Sequence, residues 1–340
     1  VAPQPASIRV LEGCRGDALP LAELLDAAVP TVLKGLAGDW GLVRAGRNGT
    51  QAAMDYLKSH SSGRPVQYSY GSPEVGGRPF YNDDLSALNC EVRRGGLDQV
   101  LDEIAAHLDE PRPPTYYVAS QQVDACLPAM RADNDLDFAA HGIQAPPSVW
   151  IGNRVTASCH YDAPNNIAVC GVGRRRFTLF PPDQIGNLYP GPLDPTPGGQ
   201  AVSVVDFARP DFERFPRFAD ALPNAQVAVL EPGDAIFIPS MWWHHVEGLE
   251  AFNVLVNYWW MSMPAWVPTP MHALYLAMWS LRDRPEREKQ AWREVFEYYV
   301  FGPAGRAGEH LPEAARGMLA PVDETQARQL RAMLLARLNR

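Results

Sequence analysis

The chain has 340 residues, 46% of them hydrophobic, enough to bury a substantial core in one large domain or two modest ones. A formal net charge of -9 and a pI near 5.4 argue against a general nucleic-acid binder, because polyanions are held by basic surfaces. No stretch approaches the roughly 18 unbroken apolar residues of a membrane span, and VAPQPASIRV lacks the charged-then-apolar layout of a secretory leader.

The five cysteines (14, 90, 126, 159 and 170) show no close paired spacing and fit reduced thiols better than a disulfide framework. The expectation is a soluble cytoplasmic protein. Lysine is confined to Lys34, Lys58 and Lys289, while arginine and alanine abound. That balance looks like a GC-rich bacterial source and counts against histone demethylation.

In chain order, residues 20–60 predict two helical pieces. Leu21, Leu24 and Leu25 fall on one face of the first, and Met54, Tyr56 and Leu57 sit in the second. Residues 98–108 predict another helix through Val100, Ile104 and Leu108. From about 115 to 260 short runs rich in β-branched and aromatic residues alternate with turn signals: TYYVAS, SVWIGNRVTASCHYD, NIAVCGV, RRFTLFPP, AQVAVLEPGDAIFIPS and FNVLVNYWW. Pro232-Gly233-Asp234 reads as a turn between two apolar strands. Six or more strands at this spacing predict an all-β sandwich or barrel.

Residues 185–225 form a long, proline-bearing irregular insertion, and loops of that length are usually functional. After Pro270 the helical period returns, through Leu274, Met278 and Leu281 and then Trp292, Phe296 and Tyr299. A last helix over 323–338 opens on Asp323 as a cap and carries Leu330, Leu334 and Leu338. Three regions are expected: a helical or mixed region over 1–114 packing on the barrel, a jelly-roll core over 115–262, and C-terminal helices over 263–340.

The chemistry-bearing feature is His160-Tyr161-Asp162. In a strand, residues i and i+2 point to one face, so an imidazole and a carboxylate emerge side by side. With 8 histidines and 39 acidic residues, roughly one such pair arises by chance, so its setting must carry the argument. A third ligand would come from His244 or His245, just beyond Pro239. Neighbours in a strand face opposite ways, so only one of the two can join the pair. Two histidines and a carboxylate on one side of an ion, with open positions opposite, make the facial triad of non-haem Fe(II). His60, His107, His141, His272 and His310 have no partner at ligand spacing and read as structural. Trp242, Trp243, Trp259 and Trp260 read as core and rim packing.

The stretches VTASCHYDAPNNIAVCGVGRRRFTLFPPDQIGNLYPGP, VDFARPDFERFP, EPGDAIFIPSMWWHHVEG and VLVNYWW, in that order from about 155 to 260, resemble the Jumonji-C type of cupin oxygenase. Within it they are most similar to the asparaginyl hydroxylase type that inhibits hypoxia-inducible factor. PTVLKGLAGDW resembles that family's N-terminal region, so the likeness covers roughly residues 20–265. It implies a double-stranded β-helix (jelly-roll, cupin-type barrel) with flanking helices, and Fe(II), 2-oxoglutarate and dioxygen as cofactor and cosubstrates. It implies His160, Asp162 and His244 as the metal ligands, with His245 facing elsewhere.

By the same resemblance Arg175 pairs with the distal carboxylate of 2-oxoglutarate. The most similar type has lysine at this position, but a guanidinium can grip a carboxylate through two hydrogen bonds. The adjacent arginines, Arg174 and Arg176, compete for that role. Tyr117 is implied as a donor to the same carboxylate, and Asn166 and Asn257 as neighbours of the metal-bound end. The family's threonine position is occupied by Ala157, which leaves Thr156 and Ser158 as open replacements.

The implied reaction is hydroxylation of a protein or peptide side chain with release of succinate and CO2. A small-molecule substrate, or a cupin metal enzyme that does not use 2-oxoglutarate, stays open. The resemblance also implies a homodimer through the C-terminal helices.

Overall fold

The strand Asn165–Val172 is buried along its whole length because both of its faces are covered. Ile167 and Val169 point to an outer layer of helices, whereas Ala168 and Cys170 point into the space between two sheets. That double covering explains why its sequence reads as a nearly unbroken apolar run rather than an alternation.

The computed structural model describes residues 7–339, so the first six residues of the stretch considered for a leader lie outside it. Two units divide the chain, Val1–Trp260 and Met261–Arg340. The strands of the first unit are β1 (Arg9–Leu11), β2 (Thr31–Leu33), β3 (Val66–Gly71), β4 (Glu91–Gly95), β5 (Thr115–Gln122), β6 (Pro147–Gly152), β7 (Thr156–Tyr161), β8 (Asn165–Val172), β9 (Arg175–Phe180), β10 (Gln226–Leu230), β11 (Ala235–Ile238), β12 (Trp243–Gly248) and β13 (Asn253–Trp260). Nine form one sheet in the order β1-β2-β11-β8-β13-β6-β5-β3-β4, and four form a second in the order β10-β9-β12-β7. This is the cupin jelly roll. Four strands of the larger sheet come from before residue 115: β1 and β2 extend it beside β11, and β3 and β4 beside β5.

Between the sheets lie Phe177 and Leu179 of β9, Ile236 and Ile238 of β11, and Leu255 of β13. Each such side chain contributes roughly 1.5–3 kcal/mol by leaving water. The outer face of the larger sheet is covered by α1 (Leu21–Ala27), α2 (Gly41–Arg47), α3 (Thr50–Ser59) and α4 (Leu97–Ala106), whose buried residues join one cluster with Val149, Ile151, Val254 and Val256. In α4 the buried residues Leu97, Val100, Leu101 and Ile104 follow helical spacing, and the helix stops before Leu108.

Residues 20–60 hold three helices rather than two, with β2 between the first and second. In α1 Leu21 and Leu24 are buried, but Leu25 is exposed: the stripe is narrower than its leucine content. The short helices α5 (Val123–Cys126) and α6 (Phe218–Ala221) complete the unit. α6 belongs to the irregular insertion, which buries Leu188, Val205 and Phe218 against Cys159, Phe180 and Trp243.

Two turns between the sheets fix the register of the barrel. Gly173, at φ +72, links β8 to β9, and a Cβ there would lie 2.5 Å from Asn253 Oδ1. At Pro232-Gly233-Asp234 the buried Asp234 carboxylate accepts from the N–H groups of Gly35 and Glu231, each at 3.0 Å, and pairs with Lys34.

The second unit contains α7 (Pro270–Leu281), α8 (Glu286–Phe296) and α9 (Glu324–Leu338). Asp323 caps α9 with a full capping box: its carboxylate accepts from Gln326 N–H at 2.8 Å, and the Gln326 side chain accepts from Asp323 N–H at 3.1 Å. None of these three helices contains a buried residue.

Candidate metal centre

The geometry starts at the facing ends of β7 and β12, where His244 pairs directly with His160 in the antiparallel register. The Asp162 carbonyl accepts from Met241 N–H at 2.8 Å, and Ser240 Oγ donates to the Ala163 carbonyl at 2.6 Å. These bonds lash the Pro239–Trp242 loop to the segment after β7, which brings His244 against Asp162. Ligand atoms of His160, Asp162 and His244 all lie within 4.8 Å of one another. His160 Nε2 is 4.0 Å from Asp162 Oδ1, and His244 Nε2 is 3.6 Å from Asp162 Oδ2.

Both imidazoles are oriented alike. Nδ1 of His160 faces the Ser158 carbonyl at 2.8 Å, and Nδ1 of His244 faces the Trp242 carbonyl at 3.0 Å. A carbonyl can only accept, so each Nδ1 carries the proton and each Nε2 keeps a lone pair aimed at the carboxylate. Burial, then the neighbouring His244 ring, brings His160 down to about 4. Burial by itself raises Asp162, but the two imidazoles beside it and the Trp259 N–H outweigh it and hold the carboxyl below its usual range. A neutral imidazole and an ionised carboxylate are the states a divalent cation needs.

His245 points the other way. It is buried on the outer side of the smaller sheet, stacked on Phe207 with ring centroids 4.5 Å apart, and its Nδ1 has no partner among the described residues. The period-2 rule breaks in β7, however. Pairing runs from His244↔His160 to Val246↔Ala157, so one extra residue bulges out of β7. The bulge turns Ala157 into the cavity with His160, while the Ser158 hydroxyl accepts from Arg78 Nε at 2.9 Å. Neither Thr156 nor Ser158 lines the inner cavity; Ala157 does.

The same cavity is also lined by Arg175, Tyr117, Asn166 and Asn257. Arg175 is the inward residue of its run. Arg174 turns out to Glu250 (2.7 Å) and Arg176 to Glu247 (3.7 Å), whereas Arg175 is only 6% exposed and its Nε has no partner among the described residues. A buried guanidinium without a carboxylate is costly, and a bound anion would offset that cost. Burial pushes the Tyr117 phenol up to about 12, with Arg175 opposing, so it stays a protonated donor. Asn257 donates to Asn166 Oδ1 at 3.1 Å and accepts from Trp150 Nε1 at 2.7 Å, which fixes both amides on the cavity wall.

Two groups at the centre have no signal in the sequence pattern. Trp259 does more than pack: its N–H donates to Asp162 Oδ2 at 3.2 Å. Gln200, from the irregular insertion, donates to Asp162 Oδ1. Both also line a groove beside His160 and Asp162, together with Pro79, Ala119, Pro197 and Val202.

The cupin-like domain family matches residues 18–265. The chain belongs to that family. The likeness to Jumonji-C-type cupin oxygenases holds with it. Over 126 residues the chain is 36% identical to the HSPB1-associated protein 1 homolog of Danio rerio, covering 36% of this chain and 27% of the relative. Over 280 residues it is 27% identical to lysine-specific demethylase JMJ31 of Arabidopsis thaliana, covering 73% and 49%. Over 106 residues it is 38% identical to tRNA wybutosine-synthesizing protein 5 of Gallus gallus, covering 31% and 30%. The chain thus spans less than half the length of each of these curated relatives. All three are animal or plant proteins and lend no support to a bacterial source.

Proposed function

We propose that this cupin-like protein is an Fe(II)- and 2-oxoglutarate-dependent hydroxylase. The observation that carries the reading is one cavity with two complementary ends. His160, Asp162 and His244 converge at one, and at the other stands a buried Arg175 whose Nε has no partner among the described residues. The donor set fits a divalent cation held on one face, and the guanidinium with the Tyr117 hydroxyl fits the distal carboxylate of 2-oxoglutarate. When bound, iron with 2-oxoglutarate and dioxygen supplies an oxidant for a substrate C–H bond, with release of succinate and CO2.

The chain's own residues supply placement. Arg175 and Tyr117 hold the cosubstrate's far end, Asn166 and Asn257 flank its metal-side end, and the two imidazoles keep fixed tautomers. Phe177, Val246 and Leu255 exclude water from the cavity floor.

For the substrate we propose an uncharged side chain of a protein or peptide. Apart from Asp162, the groove carries no charged residue, and Pro79, Ala119, Pro197 and Val202 form much of its wall. A methylated lysine would bring a cation without an acidic partner, which favours hydroxylation over lysine demethylation. A net charge of -9 disfavours the tRNA substrate that one relative's name points to. The five cysteines are all free, in keeping with a reducing compartment, proposed to be the cytoplasm. No helix among the described residues is long and apolar enough to cross a membrane. The exposed aromatic residues of α7 and the segment after α8, Trp279 and Phe301 among them, favour self-association through the C-terminal helices.

The test is a succinate-release screen across peptides and free amino acids with Fe(II) and 2-oxoglutarate, followed by mass spectrometry. The expected product is a peptide heavier by about 16 Da, one inserted oxygen. Release of succinate only with amino acids would redirect the reading to a small-molecule hydroxylase. Absence of any 2-oxoglutarate turnover would end it.

A further inference from the structure

Gln200 is the link between the proline-rich insertion and the metal-binding residues. Its amide donates to Asp162 Oδ1, while Trp259 holds Oδ2 at 3.2 Å, so each oxygen of this buried carboxylate has its own donor. The loop that carries Gln200 is tied down on both sides. Gly191 N–H donates to the Val202 carbonyl at 2.8 Å, and Ser203 N–H donates to the Cys159 carbonyl of β7 at 2.7 Å. Immediately before Gln200, Gly199 sits at φ +95 and gives its N–H to Thr196 Oγ1 at 2.8 Å. That conformation suits glycine and turns the next side chain inward.

A carboxylate that binds a metal through one oxygen is steered by the hydrogen bond on the other, and such bonds set ligand orientation. From this geometry we propose that Gln200 is a positioning residue for metal binding, orienting Asp162 from the insertion. The wall of the substrate groove and the metal centre are thereby one mechanical unit. The proposal rests on the reading of His160, Asp162 and His244 as metal ligands.

The experiment is calorimetric titration of the purified full chain with Mn(II), a redox-stable probe, across four proteins: wild type, Gln200→Met, Gln200→Lys and His160→Ala. Met keeps the reach of Gln without a donor, and Lys restores a donor. Gln200→Met should weaken Mn(II) affinity by about tenfold, the lower end for loss of such a partner. Gln200→Lys should return it toward the wild-type value. His160→Ala should lose binding altogether.

Wild-type affinity in Gln200→Met overturns the proposal and leaves the metal reading intact. Equal weakening in the Met and Lys variants also overturns it, since only packing would then matter. No uptake of Mn(II) by the wild type, at the level of His160→Ala, overturns the metal reading itself.

Discussion

His244 Nε2 lies 3.6 Å from Asp162 Oδ2, while its neighbour His245 turns its ring to Phe207 on the other side of the same sheet. The two adjacent histidines therefore serve opposite faces of β12. His244→Ala and Asp162→Ala should each abolish stoichiometric Mn(II) binding, measured by equilibrium dialysis and metal analysis. His245→Phe should bind the metal as the wild type does, because the stacking survives and a buried unpartnered nitrogen is removed. Loss of metal in His245→Phe with retention in His244→Ala would reverse the assignment.

Arg175 faces the same cavity from the opposite end, alone among its run of arginines in turning inward. Arg175→Ala should weaken 2-oxoglutarate binding by roughly 10- to 150-fold, the range for losing about 1.5–3 kcal/mol of charge-assisted bonding. Arg175→Lys should fall between the two, and Arg174→Ala should match the wild type. Quenching of tryptophan fluorescence, with Trp150 and Trp259 beside the cavity, provides the readout.

His160, partly buried, and His245, buried, are both held as neutral rings, brought down to about 4 and about 3. In the unfolded chain they protonate near the ordinary value of about 6.5. The unfolded state thus binds protons first, and the stability of the metal-free protein should fall as pH drops from about 6.5 toward 4. Thermal melting across that window checks this. His245→Phe should flatten the decline, and an unchanged slope would show that the acid sensitivity lies elsewhere.

The second unit exposes Trp279 at 76% and Phe301 at 71%, and none of α7, α8 and α9 buries a residue. Light scattering on the full chain should give the mass of two copies. The double variant Trp279→Glu, Phe301→Glu should give one copy, with metal binding retained. A full chain of monomer mass would remove the dimer.

Much of the barrel could be read without coordinates, because covered strands leave a compositional trace. The runs around Asn165–Val172 and Asn253–Trp260 are apolar on both faces, one against helices and one against the second sheet. His160 and Asp162 were legible as a pair through the two-residue period. Arg174, Arg175 and Arg176 could be sorted into one residue against two by that period, but it does not say which face looks inward. The packing of Phe177 and Leu179, on the face of Arg175, between the two sheets does.

The short strands Thr31–Leu33 and Glu91–Gly95 left little trace, since neither is long enough to establish a period. Their place in the larger sheet is set by partners distant in sequence.

His160, Asp162 and His244 divide along the same line. The chain by itself determined that His160 and Asp162 share a face, because that follows from local backbone geometry. Tertiary structure decided the rest. The bonds from Met241 and Ser240 to the segment after β7 carry His244 to Asp162, the bulge in β7 puts Ala157 rather than Thr156 or Ser158 in the cavity, and an irregular loop delivers Gln200. Each depends on how distant segments pack, and irregular backbone has no period from which a direction could be read.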